Sequence, residues 1–422
     1  MNATPAAADT LSHNYVCVFR GSRDQYQAAL ALSEVSALQT LVTDFYAPDL
    51  VLRHSNFLPH RIVSRLQKRS RAGIPSRLTS SRWRSAVPLA SGRFDGHKVD
   101  DGLGKLAARK ATGGSLVYSY YWHSYLELLR SRGDLDGPQV VFQVHPVASQ
   151  IQSILSLDRE KSSIGEALEP EEQLSKEQLE VRESELATAD AAIVTSQFVL
   201  DGILACSSVP AILGMAPYGA SVGSSGQDSR ARSAQPPNEG PIRLLWVGQL
   251  SYRKGAHWLI EAMRLLGSKA AQLTIVSRTE PPSWLGPLPP NVVIQPGVSN
   301  ELMHQWFLSH DVFVMPSLIE GYGLVYSESL AHGLPVIATP NSAARELIAV
   351  GENGLMVRPG SVEDLVSTVE SLRSDRALLA HLRRGAAATK LPSWSGFRSD
   401  VRAVLRSAEV ARASSPRPAG GD

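Results

Sequence analysis

Residues 312–338 read VFVMPSLIEGYGLVYSESLAHGLPVIA. VFVM is a strand-sized apolar run, Gly321 and Gly323 mark a turn, a helical pattern follows from Leu324, and PVIA closes with a second strand-sized run. Strand, helix, strand units of this kind build parallel sheets. In such sheets ligands sit beyond the carboxyl ends of the strands, which is where the turn falls. Glu320 lies in the turn and Glu328 follows eight positions later. Two readings of the pair are open. The acids belong either to an ordinary helix start, where the macrodipole favours them, or to a site that grips hydroxyl groups, since each carboxylate accepts two strong hydrogen bonds.

The same alternation extends in both directions. NYVCVF, a helical stretch from Gln25 to Ala37, LQTLVTDFY, SLVYSYYW, QVVFQVHP, AAIVTSQF and PAILGMAPYG precede position 220. Beyond 240 come IRLLWVGQL, a helix from Ala256 to about Leu266, QLTIVS, NVVIQPG and a helix near Glu301 to Leu308. Between the two series, residues 222–240 (VGSSGQDSRARSAQPPNEG) lack apolar periodicity and have the composition of a linker. The expected organisation is an N-terminal domain over 1–222, a linker over 223–240 and a second domain over 241–391. A helix over 392–410 crosses back to the first domain, and 411–422 form a disordered tail.

The chain has 422 residues, 43% apolar and 19% charged, enough for two buried cores. Two cysteines, Cys17 and Cys206, exclude a disulfide framework and a zinc-ligand spacing. No apolar run reaches the roughly eighteen residues of a membrane span, and the first residues lack a secretory pattern, so a cytoplasmic location is expected. The net charge of +2 conceals segregation. Arg61 to Arg84 holds eight basic residues and no acid, whereas Asp158 to Asp190 holds eleven acids against four basic residues.

In WVGQLSYRKGAHWLIEAM, Gly248, Arg253, Lys254 and Gly255 occupy the turn between a strand and a helix. Adjacent cations at a helix start are disfavoured by the macrodipole unless an anion sits nearby, and a phosphate satisfies side chains, dipole and backbone together. A solvated basic surface is the competing reading. The loop lacks the Walker spacing.

Taken together, E-GYGLVYSE, the upstream RKG, the downstream GLPVIA and GENGLMV, and more faintly ADAAIVTSQF and APYGA, resemble retaining glycosyltransferases of family 4. The resemblance implies an α/β fold of GT-B type, two Rossmann-like doubly wound domains facing a cleft. It implies transfer of a hexosyl group, with retention, from a UDP- or GDP-linked sugar to a hydroxyl acceptor: a glycan, a lipid-linked glycan or a small molecule, as in polysaccharide biosynthesis. Glu320 then holds the donor sugar with the backbone of Gly321, Tyr322, Gly323 and Leu324, and Glu328 holds the ribose. Arg253 and Lys254 neutralise the leaving diphosphate, a role that agrees with the phosphate reading of their loop. The family commonly has arginine after the first glycine of that loop; Gln249 stands here, and Arg253 takes over part of its role. Base contacts fall around Ser277, Arg278 and Val298.

In the first half, Gly21 matches loosely the family's glycine-rich loop against the diphosphate, a plain tight turn being the alternative. His145 corresponds to a histidine near the reaction centre, and is included among the catalytic residues with Glu320, Arg253 and Lys254. Arg23, Asp24, Tyr120, Tyr121 and His123 are candidate acceptor contacts. No metal site and no cofactor are expected. Arg61 to Arg84, with Ile62, Val63 and Leu66 interspersed, suits an anionic membrane surface, placing the protein peripherally on the inner face. Nucleic acid ranks last, because aromatics are few and no nucleic-acid fold is recognisable. Two alternatives remain, a non-catalytic sugar-nucleotide binding protein and a GT-B epimerase acting on the nucleotide sugar itself.

Overall fold

A computed structural model describes residues 10–22, 24–54, 57–81, 96–111, 115–119, 137–162, 164, 168–220, 239–297 and 300–414. Arg23, Tyr120, Tyr121, His123 and Val298 lie outside these residues, as do Arg82, Arg84, most of the linker and positions 415–422.

The described strands form two parallel sheets. The first contains β1 (Tyr15–Val18), β2 (Leu38–Thr43), β3 (Thr79–Ser81), β4 (Ser115–Ser119), β5 (Gln139–Gln143), β6 (Ala191–Val194) and β7 (Ile212–Met215), in the order β3-β2-β1-β4-β5-β6-β7. The second contains β8 (Ile242–Val247), β9 (Ala271–Ser277), β10 (Val292–Pro296), β11 (Val312–Met315), β12 (Val336–Ala338) and β13 (Gly354–Met356), in the order β10-β9-β8-β11-β12-β13. Both are doubly wound, with the reversal of strand order at β1/β4 and β8/β11. Strands such as YVCV, AAIV and VFVM are buried at every position, as helices on both faces of a parallel sheet require.

The helix expected from Gln25 is confined to Gln27–Glu34, because Gln25 and Tyr26 are left-handed, at φ 53° and 59°. Asp24 secures that unusual start by accepting from the N–H groups of Tyr26 (2.9 Å) and Ala28 (2.8 Å). The final helix runs over Trp394–Ser414, further than expected, and packs on Gln27–Glu34 and β7. Val404 sits so close to Gly214 that a Cβ there would lie 2.1 Å from its methyl group. Near the end of this helix Glu409 accepts from Ser12, His13 and the Tyr15 hydroxyl, tying the end of the chain to β1.

The domains meet over a separate apolar cluster. Ile151, Leu155 and Phe198 come from the first domain, Tyr252, Leu318 and Ile319 from the second. Beside it the buried carboxylate of Asp158, on the helix Ala148–Arg159, crosses between domains. It accepts from Tyr252 Oη at 2.9 Å and Trp258 Nε1 at 3.0 Å, with His257 Nε2 at 3.4 Å. Hydrogen bonds to a charged acceptor are the stronger kind, and their loss strands buried donors. Asp158→Ala is therefore expected to weaken the closed arrangement by about 3 kcal/mol. Small-angle scattering should show a larger radius of gyration and calorimetry a lower Tm; unchanged values for both would remove the clamp.

Candidate active site

The strand-order reversal at β8/β11 places the loops after these two strands side by side. After β8 the chain makes a short 3-10 turn over Tyr252–Lys254, and Gly255 then starts the helix Ala256–Ala270. Gly255 has φ 66°, and a Cβ there would lie 2.0 Å from the carbonyl oxygen of Pro316, so only glycine lets the loops approach this closely. The Arg253 carbonyl accepts from the N–H groups of Leu318 (2.8 Å) and Ile319 (3.1 Å). The Glu320 N–H donates to the carbonyl of Asn341 at 2.9 Å, and Asn341 Nδ2 to that of Leu318 at 2.8 Å.

These bonds bring Glu320, Arg253 and Lys254 together. Glu320 is buried, its Oε2 paired with Lys254 Nζ and lying 3.4 Å from Arg253 Nη1. His145, after β5 of the other domain, faces the same carboxylate closely enough to act on it electrostatically. Burial alone would raise the Glu320 carboxyl, but Lys254, then Arg253 and His145, outweigh it and hold the group well below the usual carboxylate range. Two cations thus meet the Glu320 carboxylate at a helix N-terminus, where dipole and backbone N–H groups also favour an anion, while Glu169 accepts from the Arg253 N–H at 3.2 Å.

Glu328 lies in the helix Leu324–Ala331, not on a continuous helix with Glu320, because Gly323 (φ 80°) is the cap where that helix begins. Its half-buried side chain lines a cavity of about 380 Å³ with Gly248, Gln249, Arg278, Thr279, Gly297 and Met303. Burial pushes its carboxyl up to about 7. Gly297 makes room for Arg278, whose Cγ would lie 2.1 Å from a Cβ at that position.

Several sequence-based assignments change. Tyr322 does not face this cavity: its hydroxyl donates to the Tyr218 carbonyl at 2.9 Å and its ring packs edge-on against Tyr218 between the domains. Gly321 is glycine because of the domain contact, since a Cβ would lie 2.0 Å from the Val144 carbonyl oxygen. The Gly321 carbonyl accepts from Ser196 Oγ at 2.6 Å. The Gly21 N–H is committed to Asp44 Oδ1 at 2.9 Å, and its φ of 76° is the left-handed turn conformation that favours glycine. Asp24 is buried as a helix cap and is not an acceptor contact. Ser277 Oγ is spent on the turn at Thr279.

Among the described residues of Arg61–Arg84, the basic side chains do not all face solvent. Arg69 pairs with Asp44 at 3.0 Å and Arg71 Nη1 reaches Gln25 Oε1 at 3.3 Å, whereas Arg65 and Lys68 are exposed. Sequence reasoning passed over Asp158, Asn341, Thr279 and Met303. Only Asp158 carried a signal, as the first residue of the acidic stretch that marks the charge segregation.

Residues 241–375 match the family described as glycosyl transferases group 1. The match covers most of the second domain and about a third of the chain. Its curated relatives include D-inositol 3-phosphate glycosyltransferase of an Arthrobacter species, 32% identical over 171 residues, 38% of this chain and 40% of the relative. Glycogen synthase of Mycobacterium tuberculosis is 30% identical over 176 residues, 38% of this chain and 41% of the relative. The chain thus spans about two fifths of the length of these relatives. Similar solved structures include sucrose-phosphate synthase from Thermosynechococcus elongatus, with TM-score 0.58, 17% identity and coverage of 95% of this chain and 98% of that one. Anabaena HepE in complex with UDP-glucose has TM-score 0.56, 14% identity and coverage of 96% and 100%. The two domains therefore have the GT-B fold, two Rossmann-like domains across a cleft.

Within the second domain the raised Glu328 carboxyl has a testable consequence. Below pH 7 it is largely neutral; above, it is a charged acceptor for hydroxyl groups. Affinity for a nucleoside diphosphate is expected to rise several-fold between about pH 6 and 8, and to lose that dependence in Glu328→Gln. Titration calorimetry across this range decides it, and an unchanged pH profile in the variant removes the role.

Proposed function

We propose that the protein is a retaining glycosyltransferase of family 4 type that moves a hexosyl group from a nucleotide diphosphate sugar to a hydroxyl acceptor. The observation that carries this reading is the pairing of buried Glu320 with Lys254 and Arg253 at the strand-order reversal, beside the cavity lined by Glu328. HepE, which shares the fold, was solved with UDP-glucose, which makes a UDP-linked donor the first to test and a GDP-linked one the second.

In this reading the ribose hydroxyls meet Glu328, the diphosphate meets Lys254, Arg253 and the start of the helix Ala256–Ala270, and the hexose meets Glu320. The bond from the anomeric carbon to the diphosphate oxygen breaks, and a bond to the acceptor oxygen forms on the same face. The acceptor proton passes to the leaving phosphate, whose charge the two cations stabilise without a resident metal ion. His145 lines the reaction centre from the first domain. The acceptor is a glycan, a lipid-linked glycan or a small molecule. The reading places the work in the cytoplasm or peripherally on the inner membrane face.

A thermal-shift screen of UDP- and GDP-linked hexoses tests the donor. At about a hundred times Kd the donor adds about 2.7 kcal/mol, a rise in Tm of roughly 3 °C for a chain of 422 residues melting as one unit. Product analysis with and without acceptor then separates transfer from mere binding and from epimerisation. Failure of every nucleotide sugar to shift Tm would sink the proposal.

A further inference from the structure

The helices Asp49–Arg53 and His60–Gln67 follow the carboxyl end of β2, and none of their described side chains is buried. Around them Leu50, Val51, Phe57, Leu58 and Ile62 expose 69%, 42%, 94%, 40% and 44% of their surface. Five large apolar side chains within thirteen positions form a patch that a water-facing surface rarely carries without a partner. Arg53, Arg65 and Lys68 are exposed on the same two helices or directly after them, and Asp49 is the one acid between positions 48 and 71.

The end of the second helix is tied to the loops after β1 and β2. Arg69, just past the second helix, donates to both oxygens of Asp44 at 3.0 and 3.1 Å, and the same carboxylate accepts the N–H of Gly21, in the loop after β1. The apolar tip therefore stands beside the mouth of the first domain at the carboxyl ends of its strands.

We propose that this tip docks the protein on an anionic lipid surface. The apolar side chains enter the boundary between headgroups and acyl chains, and the cations meet lipid phosphates. Charge complementarity selects this partner over a second copy of the chain, because a symmetric contact through the tip would set Arg53, Arg65 and Lys68 against their own kind. Resting on the transfer reading above, docking holds the cleft over hydroxyl groups of a membrane-anchored acceptor.

Flotation with vesicles of phosphatidylcholine, alone or mixed with phosphatidylglycerol, tests the docking. Binding is expected for the mixed vesicles and is weakened at high salt. Arg65→Glu with Lys68→Glu, and separately Leu50→Ser with Phe57→Ser, are each expected to weaken binding at least about tenfold. Nucleoside diphosphate binding by the same variants should be unchanged, which also shows that they are folded. Equal binding to both vesicle types overturns the proposal, as does a dimer in sedimentation that Leu50→Ser with Phe57→Ser dissolves. Vesicle binding without nucleotide binding supports docking and sinks the transfer reading instead. With membranes as acceptor source, label from a nucleotide sugar should enter solvent-extractable lipid; label in water-soluble product alone overturns the acceptor.

Discussion

Glu320→Gln is expected to lower turnover by at least about a hundredfold while tightening the binding of a bare nucleoside diphosphate. The carboxylate serves two partners in this site. Without donor it neutralises Lys254 and Arg253; with donor, on the proposed function, it receives hydroxyls of the hexose while the diphosphate takes the cations. The amide keeps the shape and loses the charge. Lys254, whose side chain is only 12% exposed, then lacks its counter-ion. Breaking a buried pair on one side costs about 3–5 kcal/mol, so the variant should melt early. A nucleoside diphosphate restores the missing negative charge and should raise its Tm more than it raises that of the wild type. Turnover within threefold of wild type would refute the role of Glu320, and an equal Tm response would refute the exchange of partners.

The pH dependence follows with a definite sign. A carboxyl held below its ordinary value of 4.5 contributes stability that is fully present above that value and is lost as pH falls through the folded-state value. The wild type should therefore lose stability on acidification below about pH 4.5 more steeply than Glu320→Gln, which has no such carboxyl to protonate.

Gly321→Ala is the second large effect. Its added methyl would meet the Val144 carbonyl oxygen at 2.0 Å and the Cα of His145 at 3.2 Å, both backbone atoms of the opposite domain. No rotamer change relieves such a contact, so the domains separate or β5 shifts, and overpacking of this kind costs about 1–3 kcal/mol or more. The cavity lined by Glu328 and Arg278 belongs entirely to the second domain and should be undisturbed. The expected result is nucleoside diphosphate affinity within a few-fold of wild type, with turnover reduced at least about a hundredfold because His145 no longer meets Glu320. Loss of affinity and turnover in parallel would place Gly321 against the donor instead of against the other domain.

The glycines show how far the sequence reaches. A glycine between a strand and a helix announces that something comes close, and at Gly255 and Gly321 something does. In both cases it is a backbone carbonyl: Pro316 of the adjacent loop, and Val144 of the other domain. The residue type encodes the absence of a side chain, not what fills the space.

The alternation of apolar runs and helical patterns determined two parallel α/β domains, because strands buried on both faces must be apolar throughout and amphipathic helices must repeat near 3.6 residues. It also determined that Glu320, Arg253 and Lys254 lie in loops after strands. Which carboxylate the cations face was decided only when β8 and β11 came to lie side by side, 66 residues apart in the chain for Lys254 and Glu320. Asp158 entered the domain contact, and the Tyr322 side chain packed against Tyr218 of the other domain, for the same reason. Periodicity states which face of an element is buried, whereas long-range packing alone selects the partner against which it is buried.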